Sequence, residues 1–183
     1  ELQRLGYDPG NVYQELEMDS LYVDTHQDIS YSNANIHFHS HTFYELLCCR
    51  NTSGTEYMIN SERYKLQKGD IIFVPPGVSH RPLLPETVTE PYIRDVLWIS
   101  DTFMERILPF FPEGSAEKFA QPGLFRSART NWDFLPQLFR QGVIEFERSR
   151  DGWEVMVYAN TLTILSHLNR ASHDAHAIPL KAE

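Results

Sequence analysis

Cysteine is scarce in this chain, and the only two, Cys48 and Cys49, are neighbours among 183 residues. Adjacent residues of a strand point to opposite faces of the sheet, and a disulfide between them would be strained. We therefore interpret both as small, buried, apolar side chains of a protein kept in a reducing compartment. This pattern excludes a disulfide-linked scaffold.

Positive charge is also scarce, because 16 Lys and Arg face 25 Asp and Glu and leave a net charge of −9. Such a surface repels phosphate backbones and anionic lipids, so binding of nucleic acid by charge is not expected. We find no apolar run of membrane-spanning length and no signal peptide, and expect no membrane partner. The sequence opens at Glu1 rather than Met, which indicates a fragment of a longer protein.

What is present fits a folded domain, with 42% hydrophobic and 13% aromatic residues. Short apolar stretches separated by turns predict an all-β sandwich or barrel up to about residue 100. We expect strands at 21–23, 37–49, 55–60, 64–66, 71–74 and 92–100, a loop at 28–35, and a hairpin between 37–49 and 55–60. Helical spacing then predicts helices at 101–111, at 134–150 with Asp133 as cap, and at 153–170, with a loop at 113–129.

These patterns divide the chain into four parts. Residues 1–100 form a β-barrel with an N-terminal arm, and 101–129 form a short helix with connecting loops. Residues 130–171 form a C-terminal pair of helices that mediates dimerisation, and 172–183 form a tail or linker.

One stretch carries a metal-ligand pattern. His39, His41 and Glu45 all lie at odd positions, so on a strand their side chains share one face. Further on, Gly69 and Gly77 bracket a short apolar strand that ends just before His80. Two or three imidazoles and a carboxylate on one rigid surface suit a first-row divalent ion.

These two stretches resemble the paired motifs of the cupin superfamily. The first motif is carried by His39, His41 and Glu45, with Gly54 following later than usual. The second, G-x5-P-x-G-x2-H, is matched in full, and its fixed residues are Gly69, Pro75, Gly77 and His80. Leu84 stands where the family usually has Asn. The resemblance implies a mainly β fold, the double-stranded β-helix or jelly-roll barrel, and a metal quartet of His39, His41, Glu45 and His80.

A cupin barrel followed by an antiparallel helix pair resembles the N-terminal half of AraC-type transcription regulators. The stretches that carry this resemblance include H-x-H-x-F-Y-E-L, P-P-G-x-x-H and Val96-Leu97-Trp98. It implies a cytoplasmic sensing and dimerisation domain that binds a small-molecule effector, often a sugar, in the barrel. DNA binding would require a separate helix-turn-helix domain, which is absent from these 183 residues.

Strand parity also predicts the wall of the effector pocket. Phe43 and Leu47 share the face of the metal quartet, and the even positions Arg94 and Trp98 combine a charge with an aromatic face that suits a sugar. The alternative is that Trp98 is ordinary core and Arg94 a surface charge.

The helix at 153–170 is apolar around most of its circumference, which favours burial against a second copy of the chain. We expect Leu165 and Leu168 to lie in this homodimer interface.

Three functions remain open from the sequence: an effector-sensing regulatory domain, a stand-alone metal-dependent cupin enzyme (isomerase or dioxygenase), and a carbohydrate-binding or storage protein. The ion can be zinc, nickel, iron or manganese, since three nitrogens and one oxygen do not choose among them. In the alternative without metal, the four residues bind a sugar by hydrogen bonds and Glu45 pairs with a protonated histidine.

Overall fold

The computed structural model describes residues 13–34 and 37–171, so the first 12 residues of the predicted N-terminal arm and the tail at 172–183 lie outside these ranges. Within them the chain forms ten strands and four α-helices. The strands are β1 (Tyr13–Leu16), β2 (Val23–Ser30), β3 (Phe38–His41), β4 (Tyr44–Cys49), β5 (Glu56–Ile59), β6 (Glu62–Lys65), β7 (Asp70–Val74), β8 (His80–Leu83), β9 (Tyr92–Ile99) and β10 (Gly123–Arg126). The helices are α1 (Asp101–Ile107), α2 (Ser115–Lys118), α3 (Leu135–Arg148) and α4 (Trp153–Ala171), with a 3₁₀ turn at Leu108–Phe110.

The strands form two five-stranded sheets. The first has the order β1-β3-β8-β5-β6 and the second the order β10-β7-β4-β9-β2. All pairs are antiparallel except β1 with β3. The two sheets enclose a lumen lined by one cluster of buried side chains, and the helices cover the outer face of the second sheet over another.

Strand β4 lies at the centre of the second sheet and separates the two cores. Its even residues Leu46 and Cys48 pack on the helix side, whereas its odd residues Leu47 and Cys49 face the lumen. All four are at most 4% exposed, as expected for a strand covered on both faces. Both cysteines are free and buried, in agreement with the sequence-based interpretation.

Several sequence-based expectations about the strands were wrong. The segment expected as a loop at 28–35 instead continues a strand of eight residues, β2, through Ser30. No strand was expected at His80–Leu83, which forms β8, and the loop expected at 113–129 contains α2 and β10, which pairs with β7 in the barrel sheet. Strands β4 and β5 are not a hairpin, because β4 pairs with β7 and β9 while β5 pairs with β6 and β8.

The helices lie close to their predicted positions. Ser100 caps α1 by accepting a hydrogen bond from the backbone N–H of Phe103. Asp133 does not cap α3; Phe134 occupies the N-cap without a side-chain hydrogen bond, and Pro136 lies in the first turn, where its missing N–H costs no bond. Residues 13–34 and 37–171 include no helix long and apolar enough to cross a membrane.

Leu165 of α4 is completely buried in the core between the helices and the second sheet. The expectation that it lies in a homodimer interface was therefore wrong. The helix is apolar on many sides partly because its own monomer surrounds it on more than one side.

Candidate metal and effector site

Four side chains from both sheets meet inside the lumen. His39 and His41 come from β3, His80 comes from β8 directly opposite His39, and Glu45 comes from β4 in the other sheet. One potential ligand atom from each of the four lies within 4.8 Å of those of the others. The predicted quartet is thus brought together, although a break at residues 42–43 splits the expected single strand into β3 and β4.

The turn before β8 depends on a glycine. Gly77 has a φ of 80°, a left-handed conformation that side chains with a Cβ rarely adopt, and its N–H donates to the carbonyl of His41 at 3.0 Å. This bond ties the turn to β3. His80 is consequently delivered beside His41, as the glycine-bracketed sequence predicts.

Three of the four groups are in direct contact. Nε2 of His41 lies 3.0 Å from Nε2 of His80, which lies 3.1 Å from Oε1 of Glu45. The distance from Nε2 of His41 to the same oxygen is 3.6 Å. The side chains of His41 and His80 are 0% exposed and that of Glu45 is 8% exposed, so water competes little for these atoms.

Backbone carbonyls fix the orientation of all three imidazoles. Nδ1 of His41 contacts the carbonyl oxygen of Phe43 at 2.8 Å, and Nδ1 of His80 contacts that of Val78 at 2.8 Å. Nδ1 of His39 lies 3.0 Å from the carbonyl oxygen of His37. A carbonyl oxygen only accepts, so each Nδ1 carries the proton and each neutral ring keeps a lone pair on Nε2. Such hydrogen bonds are the usual outer support of metal-binding histidines.

The quartet fits a divalent cation. Two Nε2 lone pairs at 3.0 Å repel each other unless a proton or a cation lies between them. The separations of 3.0 to 3.6 Å are shorter than twice the about 2.0–2.2 Å of a metal–nitrogen or metal–oxygen bond, so one ion can reach these atoms. His39, His41, Glu45 and His80 can therefore hold a metal.

The electrostatics of the quartet keep Glu45 ionised. Burial alone would raise the pKa of Glu45, but hydrogen bonds and charge interactions with His41 and His80 outweigh it and hold that pKa well below its usual value. Such a hydrogen bond requires a proton on Nε2 of the donating histidine, and a metal would take the place of that proton. Burial, with a smaller contribution from His80, lowers the pKa of His39 to about 4. At neutral pH the site therefore offers a carboxylate, and His39 is neutral.

Aromatic rings form the wall beside the quartet. Phe43 stacks on His41 with ring centroids 4.2 Å apart, and Trp98 lies 4.8 Å from Phe43. The indole Nε1 of Trp98 donates a 2.6 Å hydrogen bond to Oε2 of Glu45. Phe43, Leu47 and Trp98 all belong to the lumen cluster, so these predicted pocket residues face the inside of the barrel.

Arg94 lies on the same face of β9 as Trp98, further along the strand. Its guanidinium donates to the hydroxyl of Ser30 at 2.8 Å and to the carbonyl oxygen of Tyr92 at 3.3 Å, and it covers the Tyr92 ring. Its side chain is 14% exposed. Arg94 is therefore at the rim of the lumen rather than beside the quartet.

Sequence reasoning missed three polar residues of the rim, Asp24, His26 and Asp28 on β2. They lie opposite Trp98, Val96 and Arg94 in the register of β2 with β9. Residues directly opposite in an antiparallel pair share a face, so the three side chains border the lumen. Their alternation with Thr25 and Gln27 is compatible with a β-strand. Hydrophobic periodicity does not identify such a strand, because most of its side chains are polar.

Comparisons with known proteins agree with this geometry. Residues 25–82 match the family model described as the AraC-like ligand binding domain. This segment includes the motif residues of β3, β4 and β8. A search of curated proteins found no match.

Several solved structures are similar to part of the chain. A cupin 2 conserved barrel domain protein from Salinispora arenicola is 18% identical, covers 49% of this chain and 72% of its own, and gives a TM-score of 0.40. The DMSP lyase DddQ from Ruegeria pomeroyi is 23% identical, with 45% and 40% covered and a TM-score of 0.38. The plu4264 protein from Photorhabdus luminescens is 22% identical, with 51% and 77% covered and a TM-score of 0.39.

The predicted fold class is confirmed: two mainly antiparallel β-sheets are followed by C-terminal helices. Residues 25–82 are similar to a ligand-binding domain.

Proposed function

We propose that this chain is the effector-sensing and dimerisation part of a cytoplasmic AraC-type transcription regulator. A small molecule, a carbohydrate, binds in the cupin lumen, and DNA binding belongs to a helix-turn-helix domain outside these 183 residues. The observation that carries this proposal is the meeting of the His39, His41, Glu45 and His80 side chains beside the ring of Trp98.

The lumen wall supports a ligand with both apolar faces and hydroxyl groups. Phe43 and Trp98 offer aromatic surface, while the rim offers the charged side chains of Arg94 and β2. Aromatic faces beside a few fixed polar groups are the usual composition of small-molecule sites. Phe43, Leu47, Arg94 and Trp98 are the proposed ligand-binding residues.

A divalent metal in the quartet would give the effector an electrophilic anchor, since a bound cation polarises a ligand oxygen. The residues that would hold it are His39, His41, Glu45 and His80, and zinc, nickel, iron and manganese all suit three nitrogens and one oxygen. The support is the pair of Nε2 lone pairs that face each other at 3.0 Å.

The exposed side of α4 is the proposed homodimer surface. Val155 and Met156 are 68% and 56% exposed, and Ala159 and Thr163 continue the same face one and two turns further. This face has no charge between residues 155 and 166. Self-complementary pairing is the common way to cover such a surface.

An isomerase or dioxygenase is the second candidate, because the same quartet could hold a catalytic ion. Among the described residues of the lumen, the other titratable groups beside it are poor bases. Burial raises the pKa of Tyr57 and of Tyr92 well above the usual value, and burial likewise raises that of Cys49. All three stay protonated at neutral pH, which favours binding over catalysis.

The two functions differ in what happens to the ligand. Metal-loaded protein titrated with neutral monosaccharides is expected to bind at least one of them saturably, and chromatography of the mixture is expected to recover it unchanged. Catalytic accumulation of product would support the enzyme instead. The coding sequence beyond Glu183 is expected to encode a helix-turn-helix domain; its absence there would contradict the regulator.

A further inference from the structure

A row of four charged side chains borders the lumen next to Trp98. Asp24, His26 and Asp28 alternate along β2, the outermost strand of its sheet, and Arg94 lies opposite Asp28. We call these four residues the β2 row. The three β2 side chains are 27%, 30% and 31% exposed, so solvent and small ligands reach them.

The row is connected to the quartet through one aromatic ring. His26 packs edge-on against Trp98 with ring centroids 4.9 Å apart, and the other end of that indole donates to Glu45. Trp98 therefore contacts both the β2 row and the quartet.

The two carboxylates of the row keep hydrogen-bonding capacity. Nε2 of His26 lies 3.5 Å from Oδ2 of Asp28, and its Nδ1 lies 3.9 Å from Oδ1 of Asp24. The closest guanidinium nitrogen of Arg94 is 3.6 Å from Asp28. Charge-assisted hydrogen bonds are normally about 2.7–2.9 Å, so these contacts are long. Within residues 13–34 and 37–171, neither the Asp24 nor the Asp28 carboxylate accepts a short side-chain hydrogen bond. Each carboxylate can therefore accept a hydrogen bond from a ligand.

The two cations of the row, Arg94 and His26, already interact with neighbouring groups of the protein. Arg94 donates to Ser30 and to the carbonyl oxygen of Tyr92. Burial lowers the pKa of His26, but the neighbouring Asp24 and Asp28 carboxylates outweigh it and raise that pKa to about 10. His26 is therefore an imidazolium at neutral pH, and the row carries two positive and two negative charges.

We propose that the β2 row is a subsite that recognises hydroxyl groups of a neutral, polyhydroxylated effector through the acceptor oxygens of Asp24 and Asp28. A row without net charge gives little Coulomb attraction to a carboxylate or an ammonium, whereas a hydroxyl can donate to either aspartate. The subsite rests on the proposed function, since it assumes that an effector enters this lumen, and it defines the chemistry of that effector more narrowly.

The test measures binding of matched sugars by calorimetry. The probes are the neutral compounds D-glucose, D-galactose, D-xylose and myo-inositol, with glucosamine and gluconate as the cationic and anionic partners of glucose. The metal-loaded protein is expected to bind at least one neutral probe, at least tenfold more tightly than a charged one. Asp24→Asn and Asp28→Asn should each weaken that binding about tenfold or more, because each loses a charged acceptor.

The controls separate this subsite from the rest of the proposal. Asp151→Asn, at an exposed position between α3 and α4, should leave the affinity unchanged. Metal content of both β2 variants should match the wild type, and each should unfold cooperatively, at a slightly lower temperature because His26 loses one carboxylate neighbour. If one variant does not fold, binding by the other variant tests the subsite. Unchanged affinity in a folded variant, or preference for gluconate or glucosamine, overturns the subsite alone. Absence of binding to every probe overturns the carbohydrate-sensing function together with it.

Discussion

The indole Nε1 of Trp98 donates a 2.6 Å hydrogen bond to the buried carboxylate of Glu45. This contact joins the wall of the lumen to the metal quartet, because the other carboxylate oxygen of Glu45 lies 3.1 Å from His80. A change of the indole should therefore alter the carboxylate that we propose as a metal ligand.

Replacement of Trp98 by Phe should therefore weaken metal binding while the fold is kept. The variant keeps an aromatic ring but leaves a buried carboxylate without its donor, and loss of such an outer contact typically costs about 10–100-fold in metal affinity. Competition with a chelator of known affinity measures the change. Trp132→Phe is the matched control, since Trp132 packs on Phe125 on the helix side. Equal losses in both variants would show that the Glu45 contact is unimportant.

His26 should make stability depend on pH in a definite direction. Its pKa rises from 6.5 to about 10 on folding. A raised pKa contributes stability that is complete below about pH 6.5 and is lost as the pH rises toward 10. His26→Gln should therefore be destabilised most below pH 6.5, by roughly 1 kcal/mol after allowance for solvent screening, and the difference should vanish near pH 10.

His167 on α4 provides the comparison, because burial lowers its pKa. A lowered pKa makes the wild type lose stability as the pH falls, so the effect of His167→Gln should change in the opposite direction. Chemical denaturation of both variants between pH 5 and pH 10 measures this. A pH-independent difference for His26→Gln would contradict the two-carboxylate environment.

The ion pair between the barrel and α3 should contribute strongly to stability. Asp95 is completely buried, and its carboxylate accepts from Arg140 at 3.1 Å while Arg50 lies 3.6 Å away. Arg140→Ala removes the closer partner and should lower the free energy of unfolding by about 3 kcal/mol. Arg148→Ala, at the exposed end of the same helix, should change it by less than about 0.5 kcal/mol. Similar effects of the two substitutions in denaturant titrations would refute the difference.

The proposed dimer surface predicts that Val155→Glu yields a folded monomer, because the new charge would be buried against its counterpart. Sedimentation equilibrium at micromolar concentration measures the mass. Leu21→Glu is the control, since Leu21 is 65% exposed and is not part of α4. The proposal fails if the unaltered protein is already a monomer under these conditions.

The quartet was predictable from the sequence because the side of a strand to which a residue points depends only on its position along that strand. Three odd positions on β3 and β4 and one glycine turn define where His39, His41, Glu45 and His80 point, and alternation survives the short break between the two strands. The residues of β4 and β9 alternate between the two cores by the same rule, although both faces of these strands are largely buried.

Features that depend on distant partners were not predictable in this way. Strand β2 has polar side chains at most positions because it lies at the edge of its sheet, so periodicity did not identify it. The connection from β4 to β5 crosses between sheets, which a turn sequence cannot distinguish from a hairpin. Leu165 is apolar and lies at a helical spacing that an interface residue would also have. Only its packing in the core between the helices and the second sheet shows that it is a core residue.

The central claim is that the quartet holds one divalent metal in the lumen, and the most direct measurement is elemental analysis of protein purified without a histidine tag. We expect close to one equivalent of zinc, nickel, iron or manganese in the wild type. Glu45→Gln and His80→Ala should each retain much less, and His167→Ala should match the wild type. A metal content well below one equivalent that does not increase after incubation with divalent ions would contradict the claim and leave these residues only a hydrogen-bonding role.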